Sequence, residues 1–429
     1  MGGGFWYLTL FAAEEIPAAI VTYVALLMLL QLGLAPAGAT LCSSLLFMPW
    51  VLKSFMRSWV RRVGHFRQVL HLIEALLFVS LILLAFAFRF GPVAVSFALL
   101  FVSLLCAWHE LAARMYYERM LRPFFQRFFT VPKLVCSQVS VVITYGALIF
   151  LVGTLQVYFR QMAYSWAMGC YIVAGLFLLF FLHHLVWLRS PRIGNDGAPH
   201  SLGKSFKAEL RIIDRIRHQK EWWKPVLVVI LLLLPQGLMF HARVLYLYCP
   251  VAQGGLECTM QEIGFAQGTV GVIAFSIGLA LGRWLVNRYT LPRLFWPMSL
   301  SIVLSPFVYL GMTIREPQTL WALCLCTMSA QFLFGFGLNV CRLPISSISG
   351  TRYRNNINML QIPLVSAALF VPMAVSGWLV EQMGYGNFFL VNALSAPLCL
   401  LGVFLLMRWP SCPAKLPCAS PAPGQRVVC

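Results

Sequence analysis

The amino-terminal stretch FWYLTLFAAEEIPAAIVTYVALLMLL, residues 5–30, decides the class of fold. Apart from Glu14 and Glu15 it is almost wholly apolar, and it exceeds the roughly 20 residues that an α-helix needs to cross the hydrocarbon core of a bilayer. Pro17 follows the two acids, and a proline inside a helix removes a backbone hydrogen bond and bends the helix. Carboxylates in such a place require a partner, a proton or a water-filled space.

The rest of the chain repeats this apolar pattern. Of the 429 residues, 60% are hydrophobic and only 10% are charged, whereas about a quarter of the residues in a soluble domain are charged. The sequence therefore predicts an all-α polytopic membrane protein. The first apolar run lacks a basic leader and a small-residue cleavage site, so we expect it to remain as the first membrane helix.

Spans of about 20 apolar residues give twelve predicted helices. They fall into two groups of six, at 5–31, 35–56, 67–88, 92–113, 132–156 and 164–188, and at 225–248, 263–286, 293–314, 319–341, 358–380 and 387–408. Four segments follow: an N-terminal six-helix bundle (1–188), a basic cytoplasmic linker with an amphipathic helix (189–224), a C-terminal six-helix bundle (225–408) and a Pro-rich, disordered cytoplasmic tail (409–429).

The positive charges indicate the cytoplasmic side. The formal net charge is +19, and most Lys and Arg residues lie in connections after even-numbered helices, whereas connections after odd-numbered helices carry isolated cations only. By the positive-inside rule both termini are cytoplasmic, and a multi-pass protein of the cell inner membrane is expected. Because the cations mark topology, no nucleic-acid partner is expected. The expected partners of a monomeric chain are the lipid bilayer, a small-molecule substrate and protons.

Two six-helix halves with internal termini and a basic central loop are typical of the major facilitator architecture, in which substrate binds near the bilayer midplane between two bundles. Three segments resemble the AmpG-type muropeptide permeases: Met48–Lys53, Glu262–Arg288 and Val375–Phe389, the last with a Gly-Trp-x-x-Glu pattern followed by Gly and an aromatic residue. The Gly-x-x-x-Asp-Arg turn of that family is absent between helices two and three. The resemblance implies uptake of a muropeptide or amino-sugar fragment by alternating access.

The two acids of helix one differ in their helical faces. Glu15 shares its face with Ala12, Ala19 and Thr22, so we predict that Glu15 lines the pathway as a proton acceptor or substrate contact. Glu14 is predicted to pack behind it, and Tyr23 to face the same pathway. The alternative is that both acids are structural and pair with cations of other helices.

Helices three and four carry further charged residues. Arg67, His71 and Glu74 share one helical face, which indicates either a proton relay or a salt-bridge ladder. In helix four, His109 and Glu110 are pathway candidates, while Arg114 and Glu118 continue the helical spacing of Glu110. These charges either neutralise one another or form a cytoplasmic gate with cations of the connections, for which the candidates are Arg57, Arg61 and Arg288.

Helix seven brings Gln236, His241 and Arg243 into an apolar span. Arg243 has no acidic neighbour in its own helix, so it is predicted to bind an anionic group of the substrate, because guanidinium binds carboxylate or phosphate bidentately. The alternative is that it snorkels to the outer headgroups. Asn339 in helix ten is predicted to bind a sugar or, alternatively, to serve helix packing.

The thirteen cysteines include no CxxC pair and no metal-like spacing, so no metal or cofactor is expected. Cys249 and Cys258 lie in one predicted outer loop, where either a disulfide or two free thiols are expected. His183 and His184 do not repeat as paired haem ligands.

Three functions follow from these patterns. The first is proton-coupled uptake of a small polar solute. The second is export of amphipathic compounds, or a siderophore or peptide permease. The third is a transporter-like sensor or membrane enzyme, although no nucleotide-binding loop or catalytic signature is present and an enzyme is not expected.

Overall fold

The fold was described from a computed structural model, which covers residues 6–53, 56, 66–121, 129–189, 214, 218, 222–289, 291–317, 319–341 and 354–407. Within these residues the chain is helical, and ten regions are long and apolar enough to cross a membrane. The predicted linker 189–224 and tail 409–429 lie outside the described residues, apart from 189, 214, 218 and 222–224. Of that linker, Asp214 and His218 form an ion pair of 3.3 Å.

Twelve helices are present in the described part of the chain, as predicted. They are α1 (Trp6–Gln31), α2 (Pro36–Val51), α3 (Phe66–Ala87), α4 (Pro92–Met120), α5 (Val131–Phe159), α6 (Met162–Trp187), α7 (Trp223–Tyr248), α8 (Met260–Arg288), α9 (Leu291–Ile314), α10 (Leu320–Gly337), and α11 and α12 within Arg354–Met407. Gly384, with φ of 73°, separates α11 (354–383) from α12 (385–407). Glycine adopts this backbone conformation without a steric penalty.

The bounds of α4 differ most clearly from the prediction. The helix continues to Met120 rather than ending at 113, because both of its faces stay satisfied. Tyr116 is fully buried, and its hydroxyl donates a hydrogen bond of 2.7 Å to the carbonyl of Arg189. On the opposite face Arg114 and Glu118 form an ion pair.

The bend predicted at Pro17 takes the form of a widened turn. α1 stays helical through Pro17 and changes to a π-turn at Ile20–Val24. Similar π-turns interrupt α5 at Val142–Ala147 and α8 at Gly264–Gly271. Such π-turns in α-helices are often found at functional sites, and these three lie in helices that meet at the centre of the molecule.

The two halves of the chain contact each other along two seams. At the first seam, α5 and α8 approach at Gly146 and Gly268, where an added methyl group on Gly268 would overlap the backbone of Tyr145. At the second, Gly377 of α11 lies against Pro36 at the start of α2. Both seams therefore depend on residues without a side chain, which allow the helix backbones to approach closely.

α1 is the most buried of the membrane-spanning regions, with 72% of its apolar window buried. Its apolar residues Leu10, Ile16, Ile20 and Leu27 belong to the main hydrophobic core. α1 is therefore held on several sides by other helices, and any polar group on it must be accommodated inside the protein.

Replacement of Gly268 by alanine tests the α5–α8 seam. The new methyl group meets backbone atoms that cannot move aside, so we expect a loss of about 1–3 kcal/mol in stability, as for other overpacked sites, measured as a lower thermal unfolding temperature of purified protein. The matched control is Gly175→Ala in α6, where an added methyl group has no neighbour within 4 Å. Equal unfolding temperatures for the two variants would contradict the close packing.

Candidate functional site

One stripe of α1 remains open although the helix as a whole is buried. Glu14, Glu15, Ala18, Thr22 and Tyr23 are partly exposed, and their spacing places them along one face of the helix. Tyr23 contacts residues of both halves of the chain, so this stripe borders the space between the two bundles. Whether Glu15 and Tyr23 line a transport pathway stays a prediction.

The two carboxylates at the start of this stripe have different partners. Ser137 of α5 donates a hydrogen bond of 2.5 Å to Glu15 Oε1. Glu14 Oε2 is buried without a hydrogen-bond partner. Both residues are partly exposed, so the structure does not separate a lining Glu15 from a packing Glu14, and that distinction stays a prediction.

Glu110 of α4 and two lysines complete a charged layer around these acids. Lys53, beyond the end of α2, forms an ion pair with Glu110, and Trp50 Nε1 donates a hydrogen bond of 3.1 Å to the same carboxylate. Glu14 and Glu15 interact electrostatically with Glu110, Lys53 and Lys133. Among the described residues the layer thus holds three carboxylates and two ammonium groups, so its formal charge is −1 when all five are ionised.

The predicted gate stays a prediction, because only some of its members are among the residues that the structure describes. Arg57 and Arg61 lie outside them, and Glu110 pairs with Lys53, which the sequence interpretation did not select. Arg114 and Glu118 pair within α4 at 3.0 Å, which fits the alternative of mutual neutralisation. The guanidinium of Arg288 lies 5.4 Å from the ring centre of Trp284.

Arg243 of α7 lies among aromatic residues between the halves. Its guanidinium is 5.1 Å from the ring centre of Phe240, and Phe240 stacks on Tyr23 of α1 at 5.8 Å. Tyr23 in turn stacks on Tyr145 of α5 at 5.1 Å. Arg243 interacts electrostatically with the hydroxyls of Tyr23, Tyr145 and Tyr309. Four helices therefore converge on this guanidinium.

The surroundings of Arg243 contain no balancing acid in the part of the chain that is described. The residue is only 7% exposed, and its Nε has no hydrogen-bond partner. Snorkelling to the outer headgroups is therefore wrong, because the side chain turns inward. A buried guanidinium without a carboxylate is unfavourable, which makes this position suited to an anionic ligand.

Three of the side-chain amides in the C-terminal half join neighbouring helices. Gln267 Nε2 of α8 donates to the Tyr309 hydroxyl at 2.9 Å, and Gln331 Nε2 of α10 donates to Gln267 Oε1 at 3.3 Å. The sequence analysis did not select Gln267 or Gln331. Each is a single polar residue in an apolar helix, which is a pattern that could have indicated them. Gln236, which was selected, donates to the carbonyl of Ile302 at 3.2 Å and so links α7 to α9.

His241, the remaining candidate in α7, is buried, and neither ring nitrogen has a hydrogen-bond partner. Asn339 donates to the carbonyls of Leu279 and Phe336, each at 3.3 Å. This arrangement corresponds to the helix-packing alternative. Glu74, His71 and His109 lie together inside the N-terminal half, and sequence reasoning missed their neighbour His184.

The sequence left two alternatives for Cys249 and Cys258, a disulfide or two free thiols. In the structure both residues are free thiols. The Cys249 thiol engages Tyr385 instead. Burial, with a smaller contribution from Glu262, raises the pKa of Cys258 to about 12. Since the thiolate is the reactive form, this environment disfavours the exchange chemistry that forms a bridge.

Comparison with solved structures identifies the fold. The chain is similar to the nucleoside transporter NupG, with 13% identity, a TM-score of 0.69 and coverage of 94% of this chain and 98% of that one. It is also similar to a peptide transporter, POT, in complex with alafosfalin (14% identity, TM-score 0.70, 94% of each chain). A third similar structure is the xylose transporter XylE from E. coli (13% identity, TM-score 0.62, 92% and 94% coverage).

These proteins are transporters of the major facilitator fold, and the likeness over nearly the whole chain shows that this multi-pass membrane protein has the same fold. No family model and no curated protein sequence matches the chain. The AmpG-type resemblance therefore stays an expectation from the sequence.

Replacement of Lys53 by alanine tests the charged layer. The ammonium group lies in a buried pair with side-chain exposures of 7% and 19%, so its removal leaves Glu110 uncompensated at a cost of about 3–5 kcal/mol. Arg114→Ala is the matched control, because an exposed helical pair contributes only about 0.3–0.5 kcal/mol. The thermal unfolding temperature should fall much further in Lys53→Ala than in Arg114→Ala. Similar decreases in the two variants would show that the Lys53–Glu110 pair is not buried.

Proposed function

We propose that this protein is a secondary transporter that moves a small anionic polar solute by alternating access, with coupling to protons. The observation that carries the proposal is Arg243, which is nearly buried between the two halves without an acidic partner in the described residues. A substrate that brings a carboxylate or phosphate supplies the missing charge and forms short, charge-assisted hydrogen bonds.

The lining around Arg243 supports a polar rather than an amphipathic substrate. Tyr23, Tyr145 and Tyr309 supply hydroxyls, and Gln267 and Gln331 supply amides. Phe240 and the tyrosine rings supply flat apolar faces on which a sugar or planar group packs. Amide, hydroxyl and guanidinium groups together fit an acidic amino sugar of the muropeptide class, which is also the class that the sequence resemblance implies.

Proton coupling is supported by the charged layer on the same stripe of α1. From Glu15 to Tyr23 the helix rises about 12 Å, so the layer and the aromatic residues around Arg243 lie at neighbouring levels of α1. Glu14 has an unpartnered carboxylate oxygen, and the layer balances its charge by taking up one proton. Proton binding beside the substrate position is the arrangement that a symporter requires.

The names of the similar solved structures point in the same direction. They describe transporters of nucleosides, of xylose and of peptides, which are small polar solutes in each case. We therefore propose uptake across the cell inner membrane and place export of amphipathic compounds second, because the described lining of the Arg243 position is mostly polar.

The role of Arg243 is tested by uptake into proteoliposomes. N-acetylmuramate carries a carboxylate that N-acetylglucosamine lacks, so we expect saturable uptake of the former and at least tenfold weaker uptake of the latter. Arg243→Lys should weaken N-acetylmuramate uptake about 10- to 100-fold, because lysine cannot form the bidentate contact. Arg288→Lys is the control for loss of an arginine elsewhere. Full affinity in Arg243→Lys would refute the anion-binding role.

The coupling role of the acids is tested with Glu15→Gln and Glu14→Gln. In the wild type an inward proton gradient should accelerate uptake, and the variant that lacks the coupling carboxylate should lose this acceleration while still exchanging substrate in the absence of a gradient. Glu316→Gln, which removes an exposed acid beyond the end of α9, should behave as wild type. If both α1 variants respond to the gradient normally, protons are not coupled through this layer.

A further inference from the structure

A carboxylate and two imidazoles are buried together inside the N-terminal half, with a third, partly exposed imidazole beside them. Glu74 of α3, His109 of α4 and His184 of α6 are each 0% exposed. Glu74 Oε1 lies 2.6 Å from His184 Nδ1 and 3.3 Å from His109 Nε2. The other oxygen, Oε2, lies 3.7 Å from Nδ1 of His71. Three helices thus place their titratable groups at one point.

The charge of this cluster has no ordinary counter-ion. All ion pairs of Glu74 in the described part of the chain are with histidines. Arg67 reaches only the edge of the cluster, where its Nε donates to His71 Nε2 at 3.3 Å. A buried carboxylate without compensation costs several kcal/mol. Either an imidazole or the carboxyl group must therefore carry an additional proton.

The hydrogen bonds of Thr9 show where that proton lies. Thr9 Oγ1 in α1 donates to the carbonyl of Trp6 at 2.9 Å, so towards His184 Nε2, at 3.1 Å, it acts as the acceptor. His184 then carries a hydrogen on Nε2, and its Nδ1 faces Glu74 at 2.6 Å. Two bare acceptors repel at this distance, so a second hydrogen lies between Nδ1 and the carboxylate.

A bound metal ion does not replace this proton. No group of three His, Cys, Asp or Glu side chains among the residues described has the arrangement of a metal site. The carboxylate is also surrounded by N–H groups, since His109 Nε2 approaches the same oxygen as His184 does. N–H donors favour the ionised carboxylate, which assigns the proton to the His184 ring.

We propose that Glu74 and His184 form an internal proton-binding site, an imidazolium–carboxylate pair that fixes α1 to α3 and α6 through Thr9. This site differs from the charged layer of Glu14 and Glu15, because it is closed to the space between the bundles and its proton is retained rather than transported. Loss of the proton in alkaline solution would leave Glu74 uncompensated and release α1. The inference does not rest on the proposed transport.

The protonation state is measured directly by nitrogen-15 NMR of protein with labelled histidine. At about pH 8 free histidine, with a pKa of about 6.5, is neutral. We expect one of the eight histidines to show hydrogens on both ring nitrogens, and this signal to disappear in His184→Gln and in Glu74→Gln. A spectrum of the wild type in which every imidazole is neutral overturns the proposal, and this result needs no variant to fold.

A double-mutant cycle tests the coupling between the two groups. His184→Gln leaves the carboxylate without its imidazolium, so it should lower the unfolding temperature more than the double variant Glu74→Gln/His184→Gln, in which both charges are absent. The control is His218→Gln, which removes an exposed histidine. If the decrease in unfolding temperature of the double variant equals the sum of the decreases in the two single variants, Glu74 and His184 are not coupled through a proton.

Discussion

The structure depends on one electrostatic constraint, which is that every charge inside a helical membrane bundle must be balanced where it stands. Insertion of a charged side chain at the bilayer centre costs at least about 2.5–3.5 kcal/mol. The chain meets this cost in three ways. Lys53 contacts Glu110 directly, His184 contacts Glu74, and Arg243 has no acidic partner among the described residues, which is the basis for the anionic substrate that we propose. The first two contacts join helices within the protein, and the third position is the one that we propose binds the substrate.

α1 connects these three arrangements along a single helix. Thr9 contacts the buried histidine cluster, Glu14 and Glu15 belong to the charged layer, and Tyr23 reaches the aromatic residues around Arg243. Tyr23 lies within the π-turn at Ile20–Val24. A helix so deeply buried moves only with its neighbours, so binding at one level is mechanically linked to the others.

Much of this could be predicted from the sequence, and the limits have a physical cause. The membrane spans and the number of helices follow from hydropathy and from the cost of polar groups in lipid. Partners do not follow from these signals, because they come from other helices. Lys53 was given no role from the sequence, yet it pairs with Glu110. His184 was read as half of a pair with His183, whereas its contacts are Glu74 and Thr9. The free thiols of Cys249 and Cys258 likewise reflect the position of Tyr385, which lies far along the chain.

The second seam between the halves has an energetic consequence for the conformational cycle. The backbone N–H of Ala37, at the start of α2, donates to Glu381 Oε1 of α11 at 2.8 Å. Separation of the halves at this end breaks a hydrogen bond to a charged group, which contributes about 1.5–3 kcal/mol. That amount shifts a two-state equilibrium roughly 10- to 150-fold. A single carboxylate of α11 therefore favours the arrangement in which the two halves are in contact at this end.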